Sequence, residues 1–350
     1  MSRPGPLADV DVLGAWRSLR PLGTLPHLAE RLDATTPANE YEAEVAVEFL
    51  NVDAASFRQL RESCGGDPEE ISSAVSRIVR EHGKMQNPAT GSGGVLVGRL
   101  TAVGSSFWQP GLEVGQRVVP LASLIATPLR LEAVGPVDPS EPQVPVQGRA
   151  IVTGRMSVAV VPDDLPLEAV LTALDVYPAA SHTKALARHG AHVVVIGCGH
   201  AGLAALAAAR EQLGPEGLVT AVDASAAALA KASRIDPGCS RILADATQPV
   251  ALAGHLARRG LPTADLTLLC TTVRGCEGAA ILVTADSGTV LFFSTVTSFA
   301  AAGLGADSLS SLAALSIPNG FTPDQGSYLL ELLRRCPPLL EAYVRRGGDP

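Results

Sequence analysis

The run from His192 to Gly202 restricts this chain more than any other. His192-Val193-Val194-Val195-Ile196 has the apolar content of a buried strand, and it leads at once into Gly197-Cys198-Gly199-His200-Ala201-Gly202 and an alanine-rich helix. Each glycine has its own reason: Gly197 permits a tight turn, Gly199 lets a pyrophosphate approach the backbone, and Gly202 lets helix and strand pack closely. The helix N-terminus then offers free N–H groups and a positive dipole end to phosphates. A second strand, 218–222, ends in Asp223, about 20 residues past the last glycine. A carboxylate there accepts hydrogen bonds from the adenosine ribose and repels a 2′-phosphate, so the pattern predicts NAD rather than NADP.

The flanking sequence agrees with that turn. From residue 165 to 300, short apolar runs at 191–196, 218–222, 241–243, 265–270 and 289–293 alternate with helical patterns at 166–189, 202–213, 226–234, 249–259 and 277–282. Such alternation requires parallel pairing with helices on both faces, an α/β Rossmann domain wound both ways around one sheet. Residues 1–164 read differently. Alternating acidic and apolar residues at 41–56 predict a strand running into a loop, 68–83 predicts a helix closed by Gly83, and 87–94 is turn-rich. Strand-like runs follow at 95–103 and 116–121, and proline-rich 136–148 has loop composition. The last segment, 301–350, adds a possible strand at 313–317, a loop at Pro318-Asn319-Gly320 and an amphipathic helix at 323–335. It is expected to complete the sheet and pack on the first domain.

Composition narrows the class. With 350 residues, 47% apolar and 18% charged, the chain has material for more than one core and too little charge for disorder. A net charge of −8 without a dense basic cluster predicts no nucleic-acid partner and favours a small molecule. No apolar stretch is long enough to span a membrane and residues 1–20 lack a signal-peptide pattern, so the cytoplasm is the expected location. The six cysteines, 64, 198, 239, 270, 276 and 336, form no C-x-x-C pair and are read as reduced thiols.

Lys84-Met85-Gln86-Asn87-Pro88-Ala89-Thr90-Gly91-Ser92-Gly93-Gly94, Thr127-Pro128-Leu129-Arg130, Ala173-Leu174-Asp175-Val176, Ala244-Asp245-Ala246-Thr247, Phe292-Phe293-Ser294 through Thr297-Ser298-Phe299, and Asn319-Gly320 occur in this order. In these motifs the chain resembles the L-erythro-3,5-diaminohexanoate dehydrogenase family, within the medium-chain dehydrogenase/reductase superfamily. The resemblance implies a mainly β, GroES-like catalytic domain ahead of the Rossmann domain, oxidative deamination of a β-amino acid with NAD, and a homodimer. Where zinc-dependent members of the superfamily carry Cys and Gly-His-Glu, a rough alignment places Asn51 and Gly93-Gly94-Val95, so no metal is expected.

Hydride loss from a carbon bearing nitrogen requires a neutral amine, and therefore a general base. Asp175 is the leading candidate, since its Leu174 and Val176 neighbours would partly desolvate it. Asn51, Asp53 and Ser56 end the first strand in a loop that, by the resemblance, faces the nicotinamide; Asp53 could hold a second ammonium. Asn87, Thr90 and Ser92 are candidate polar contacts, and Lys84 and Arg130 candidate carboxylate anchors. Ser294 and Thr297 follow a strand end, where ligands of parallel sheets bind, and join Gly197, Cys198, Gly199, His200, Ala201, Gly202 and Asp223 as cofactor contacts. A zinc-free carbonyl or enone reductase, or a dinucleotide-binding redox sensor without turnover, would share the cofactor half of this pattern.

Overall fold

The computed structural model describes residues 10–294, 296–317 and 323–344. The chain forms two compact units, Met1–Asp163 and Asp164–Pro350. Among the described residues no helix is long and apolar enough to cross a membrane.

In the first unit a two-stranded ribbon, β1 (Ser18–Arg20) and β2 (Arg31–Leu32), precedes β3 (Ala43–Asn51), α1 (Ala54–Ser63), α2 (Pro68–His82), β4 (Val95–Val103), β5 (Arg117–Pro120), β6 (Leu129–Val134), β7 (Gln143–Val152) and β8 (Val158–Val160). Six of these strands form an antiparallel sheet in the order β6-β7-β3-β4-β5-β8. Successive side chains of a strand point to opposite faces, so Ala43, Val45 and Val47 of β3 enter the core while Glu44, Ala46 and Glu48 face outward. Ile71, Val75 and Val79 lay the apolar stripe of α2 into the same core. Behind β3, Arg17 and Glu42 form a fully buried ion pair at 2.6 Å, and three backbone carbonyls accept the remaining guanidinium donors.

Two sequence expectations fail here. The segment after Asn51 is helix α1 rather than a loop, because Asp53 caps it, Oδ1 accepting the Ser56 N–H at 3.0 Å. Half of the proline-rich stretch is strand β7, paired on both sides between β6 and β3. Pro145 is accommodated because it faces Phe49 at an irregularity in the β3–β7 register, where a missing N–H costs little.

The second unit runs α3 (Leu167–Leu186), β9 (His192–Ile196), α4 (His200–Leu213), β10 (Leu218–Asp223), α5 (Ala226–Ile235), β11 (Ser240–Leu243), α6 (Pro249–Arg258), β12 (Ala264–Leu269), α7 (Glu277–Leu282), β13 (Thr284–Phe292), α8 (Phe299–Ser308), β14 (Ala314–Ser316), α9 (Pro323–Arg335) and α10 (Pro337–Tyr343). Its sheet is parallel throughout, in the order β11-β10-β9-β12-β13-β14. Counted from β9, that is the 3-2-1-4-5-6 order of dinucleotide-binding sheets, with the switch point between β9 and β12. The possible strand at 313–317 is present as β14, which pairs with β13 and forms the edge of the sheet. Helices α8 and α10 were not legible in the sequence. Residues of the C-terminal segment belong to this unit, where α9 packs on α3 and α10 on α3, α4 and α5. Asn319 and Gly320 lie outside the described residues.

Candidate functional site

All five residues of β9 are buried between β10 and β12, which delivers the glycine turn to the carboxyl end of the sheet. Gly197 has φ +94°, and a Cβ there would stand 2.7 Å from the Thr271 nitrogen, so only glycine fits. At Gly202 a Cβ would meet the Gly197 carbonyl oxygen at 1.8 Å. Gly199 is the opposite case: nothing lies within 4 Å of the position its Cβ would take, leaving open space before the helix end. The first ladder bond of α4 runs from the Leu203 N–H to the Gly199 carbonyl, so the N–H groups of His200, Ala201 and Gly202 precede it.

Asp223 closes the turn from the next strand. Its Oδ2 accepts the Cys198 N–H and its Oδ1 the Ser225 N–H, each at 2.7 Å. Burial, and then the Asp223 charge, push the Cys198 thiol far above its ordinary value, and burial pushes Cys270 up to about 12. Both shifts favour the protonated thiol over the nucleophilic thiolate. At the same end of the sheet, Ser294 Oγ accepts the Val296 N–H, while the buried Thr297 hydroxyl has no hydrogen-bond partner among the described residues. The open space at Gly199, the helix N–H groups, the Asp223 carboxylate and an orphaned hydroxyl beyond β13 together fit a dinucleotide.

Two residues that the sequence did not single out also contact this group. Tyr343 of α10, buried, donates its hydroxyl to the His200 carbonyl at 2.8 Å and meets the exposed His200 ring edge-on, centroids 5.3 Å apart. Glu277 fixes the loop after β13 by accepting the Ser298 N–H at 2.7 Å. No spacing or period marks either one. Asp175 lies on α3 near this end, since its charge, after burial and Cys270, contributes to raising the Tyr343 hydroxyl. It is exposed, so the desolvation expected from Leu174 and Val176 does not arise.

The first unit assembles a second group. Ser92 Oγ donates to Asp53 Oδ2 at 2.8 Å; Ser56 Oγ lies 2.9 Å from Ser92 Oγ and 2.5 Å from Thr90 Oγ1. Ser56 is fully buried on the first turn of α1, whereas Thr90 is exposed. Asn87 shapes the loop that carries the two hydroxyls: its Nδ2 donates to Gln59 Oε1 and to the Ser56 carbonyl, and its Oδ1 accepts the Ala89 N–H. Gly94 brings β4 against β3, a Cβ there falling 2.1 Å from the Asn51 carbonyl oxygen. Asn51 itself accepts from Gln143 Nε2 at 3.0 Å.

Two predicted substrate anchors stand apart from this cluster. Lys84 is neither a surface charge nor a carboxylate ligand: it is fully buried, its Nζ donating to the Pro26 and His27 carbonyls, and burial lowers it to about 8. Arg130, on edge strand β6, is exposed and pairs loosely with Glu132 at 3.8 Å.

Residues 16–162 match the L-erythro-3,5-diaminohexanoate dehydrogenase N-terminal domain. Over 94% of this chain and 96% of the relative, the sequence is 33% identical to L-erythro-3,5-diaminohexanoate dehydrogenase of Fusobacterium nucleatum subsp. nucleatum. The chain belongs to the L-erythro-3,5-diaminohexanoate dehydrogenase family. A second relative in that family, from Acetoanaerobium sticklandii, is 34% identical over 92% of this chain and 94% of its own length. Among solved structures, galactitol-1-phosphate dehydrogenase from Escherichia coli superposes with a TM-score of 0.51 at 16% identity, covering 89% of this chain and 84% of that one. An alcohol dehydrogenase from Thermotoga maritima gives 0.52 at 14%, covering 88% and 86%. These two share the fold of the medium-chain dehydrogenases. As a member of the diaminohexanoate dehydrogenase family with that fold, this chain is an oxidoreductase that uses a nicotinamide cofactor.

Proposed function

We propose that the chain catalyses NAD-dependent oxidative deamination of 3,5-diaminohexanoate to 5-amino-3-oxohexanoate with release of ammonium, and that Asp53 is its general base. The observation that carries this reading is the Asp53 carboxylate, held by a helix N–H on one oxygen and a hydroxyl on the other, each oxygen keeping a lone pair for a substrate donor. Desolvation was the ground for placing the base at Asp175, and Asp175 is exposed.

The substrate's C3 nitrogen arrives as an ammonium. Asp53 takes one of its protons, freeing the lone pair that forms the C=N bond as hydride departs. NAD, when bound, supplies the hydride acceptor. Water then adds to the iminium carbon, Asp53 passes a proton from that water to nitrogen, and ammonium leaves as the ketone forms. Gly199, the first N–H groups of α4 and Asp223 would hold the dinucleotide, with Thr297 as a polar contact at its nicotinamide end. Asp223 supports NAD over NADP.

A homodimer suits this fold. The edge strand β14 and its surroundings expose Leu304, Leu309, Leu312, Leu315 and Ile317, an apolar edge that a second copy would cover by strand pairing. Light scattering showing a monomer would remove that expectation.

The decisive assay incubates purified protein with NAD and 3,5-diaminohexanoate and follows both NADH absorbance and ammonium. Equal yields of the two are expected. Turnover of enones or ketones with NADH, and none of the amine, would replace this reading with a zinc-free reductase.

A further inference from the structure

We propose that Ser92, Ser56 and Thr90 form a proton exit from Asp53 to solvent, an inference that rests on Asp53 being the base. The deamination releases one net proton per turnover. Ammonium loses a proton to Asp53 before hydride departs, while iminium plus water gives ketone plus ammonium with no further change. Asp53 must therefore be cleared of its first proton before it can accept the next from water. A carboxyl that stays protonated cannot activate that water.

The geometry provides the route. From Asp53 Oδ2 the chain runs to Ser92 Oγ at 2.8 Å, on to Ser56 Oγ at 2.9 Å, and on to Thr90 Oγ1 at 2.5 Å. A shortcut from Ser92 to Thr90 measures 3.2 Å. Each hydroxyl both donates and accepts, so a proton enters at one end while another leaves at the other. With Asp53 ionised, the Ser92 hydroxyl points at it. Protonated Asp53 hands its proton to Ser92 Oγ, Ser92 passes its own to Ser56, Ser56 to Thr90, and Thr90 to bulk water. The hydroxyls then rotate back, and no bond other than O–H is made or broken. Asp53 and Ser92 are half-buried, Ser56 is fully buried and Thr90 is exposed, so the chain of hydroxyls ends at solvent on Thr90. Ser56 is doubly fixed, as a first-turn residue of α1 whose own N–H sits on Asp53 Oδ1. These hydroxyls are positioning residues: only Asp53 touches the reacting group.

Single-turnover stopped flow in dilute buffer, with a pH-indicator dye reporting protons and absorbance reporting NADH, tests the relay. In the natural protein, proton and NADH should rise together. In Thr90→Val the proton should lag behind NADH, the lag should vanish as imidazole is added, and Thr90→Ser should behave as the natural protein. Unchanged melting temperature excludes a folding defect, and Ser92→Ala provides a second break in the chain. Proton release that keeps pace with NADH in both variants, or a lag that imidazole does not relieve, overturns the relay while leaving the base in place. Near-full activity in Asp53→Asn overturns the base itself, and the relay with it.

Discussion

The two groups of candidate residues, one in each unit, are built from different materials. The glycine turn is made of backbone: three positions that exclude a side chain or leave room for a ligand, a row of N–H groups, and one carboxylate that ties them together. The Asp53 cluster is made of side chains from segments 34 to 39 residues apart, joined by four hydroxyl or carboxylate hydrogen bonds. Backbone sites are specified by spacing within one short run, so they tolerate change outside it and fail abruptly inside it. Side-chain networks divide their function among members and should fail by degrees.

That contrast breaks first at Asp53. Asp53→Asn keeps the shape but removes the proposed base, and kcat for the diamino acid should fall by about 10²–10⁴-fold with little change in NAD affinity; a steady-state comparison showing less than a tenfold loss would return the base to Asp175. Gly202→Ala attacks the other group. Its Cβ cannot coexist with the Gly197 carbonyl, so NAD should bind at least roughly tenfold more weakly by calorimetry, and unaltered affinity would mean the turn is not the cofactor's cradle.

The same contrast explains what could be read from the sequence. The turn, its strand and Asp223 were legible because a periodic strand, three glycines and one acid at a fixed interval are local signals. Asp53, Ser56, Thr90 and Ser92 could be named as candidates, but not their connection, since the helix that aligns Ser56 begins with a cap hidden in an apparently loop-like segment. Lys84 was misread because nothing local reveals that the carbonyls of Pro26 and His27 lie over it. Tyr343 carried no signal, its partner being the carbonyl of a residue in another helix.

Smaller effects sharpen the comparison. Asp223→Asn should narrow the preference for NAD over NADP by roughly tenfold, about 1.4 kcal/mol, because the repulsion of a 2′-phosphate is lost; calorimetric titration with both cofactors giving the original ratio would show that discrimination comes from elsewhere. The smallest effect is expected at Lys84. Burial lowers its ammonium from 10.5 to about 8. Between those values the unfolded chain binds more protons than the folded one, so this group makes stability rise with pH across that window and weakens it below. Lys84→Met should flatten that part of the rise by a few degrees in melting scans between pH 8 and 10, roughly as expected for a single buried charge. Parallel curves for the two proteins would mean the ammonium is better solvated than its burial implies.

The hydroxyl of Tyr343 has a consequence for the order in which the molecule is made. Burial pushes it far above its ordinary value, so it donates to the His200 carbonyl at any physiological pH. Nascent chains emerge N-terminus first, and α10 is the last helix described in this one, separated from the turn it braces by 143 positions. The strands and the glycine turn are thus synthesised before the helix that braces them. Truncation before Pro337 should leave the glycine turn without its brace and weaken dinucleotide binding, measured by calorimetry.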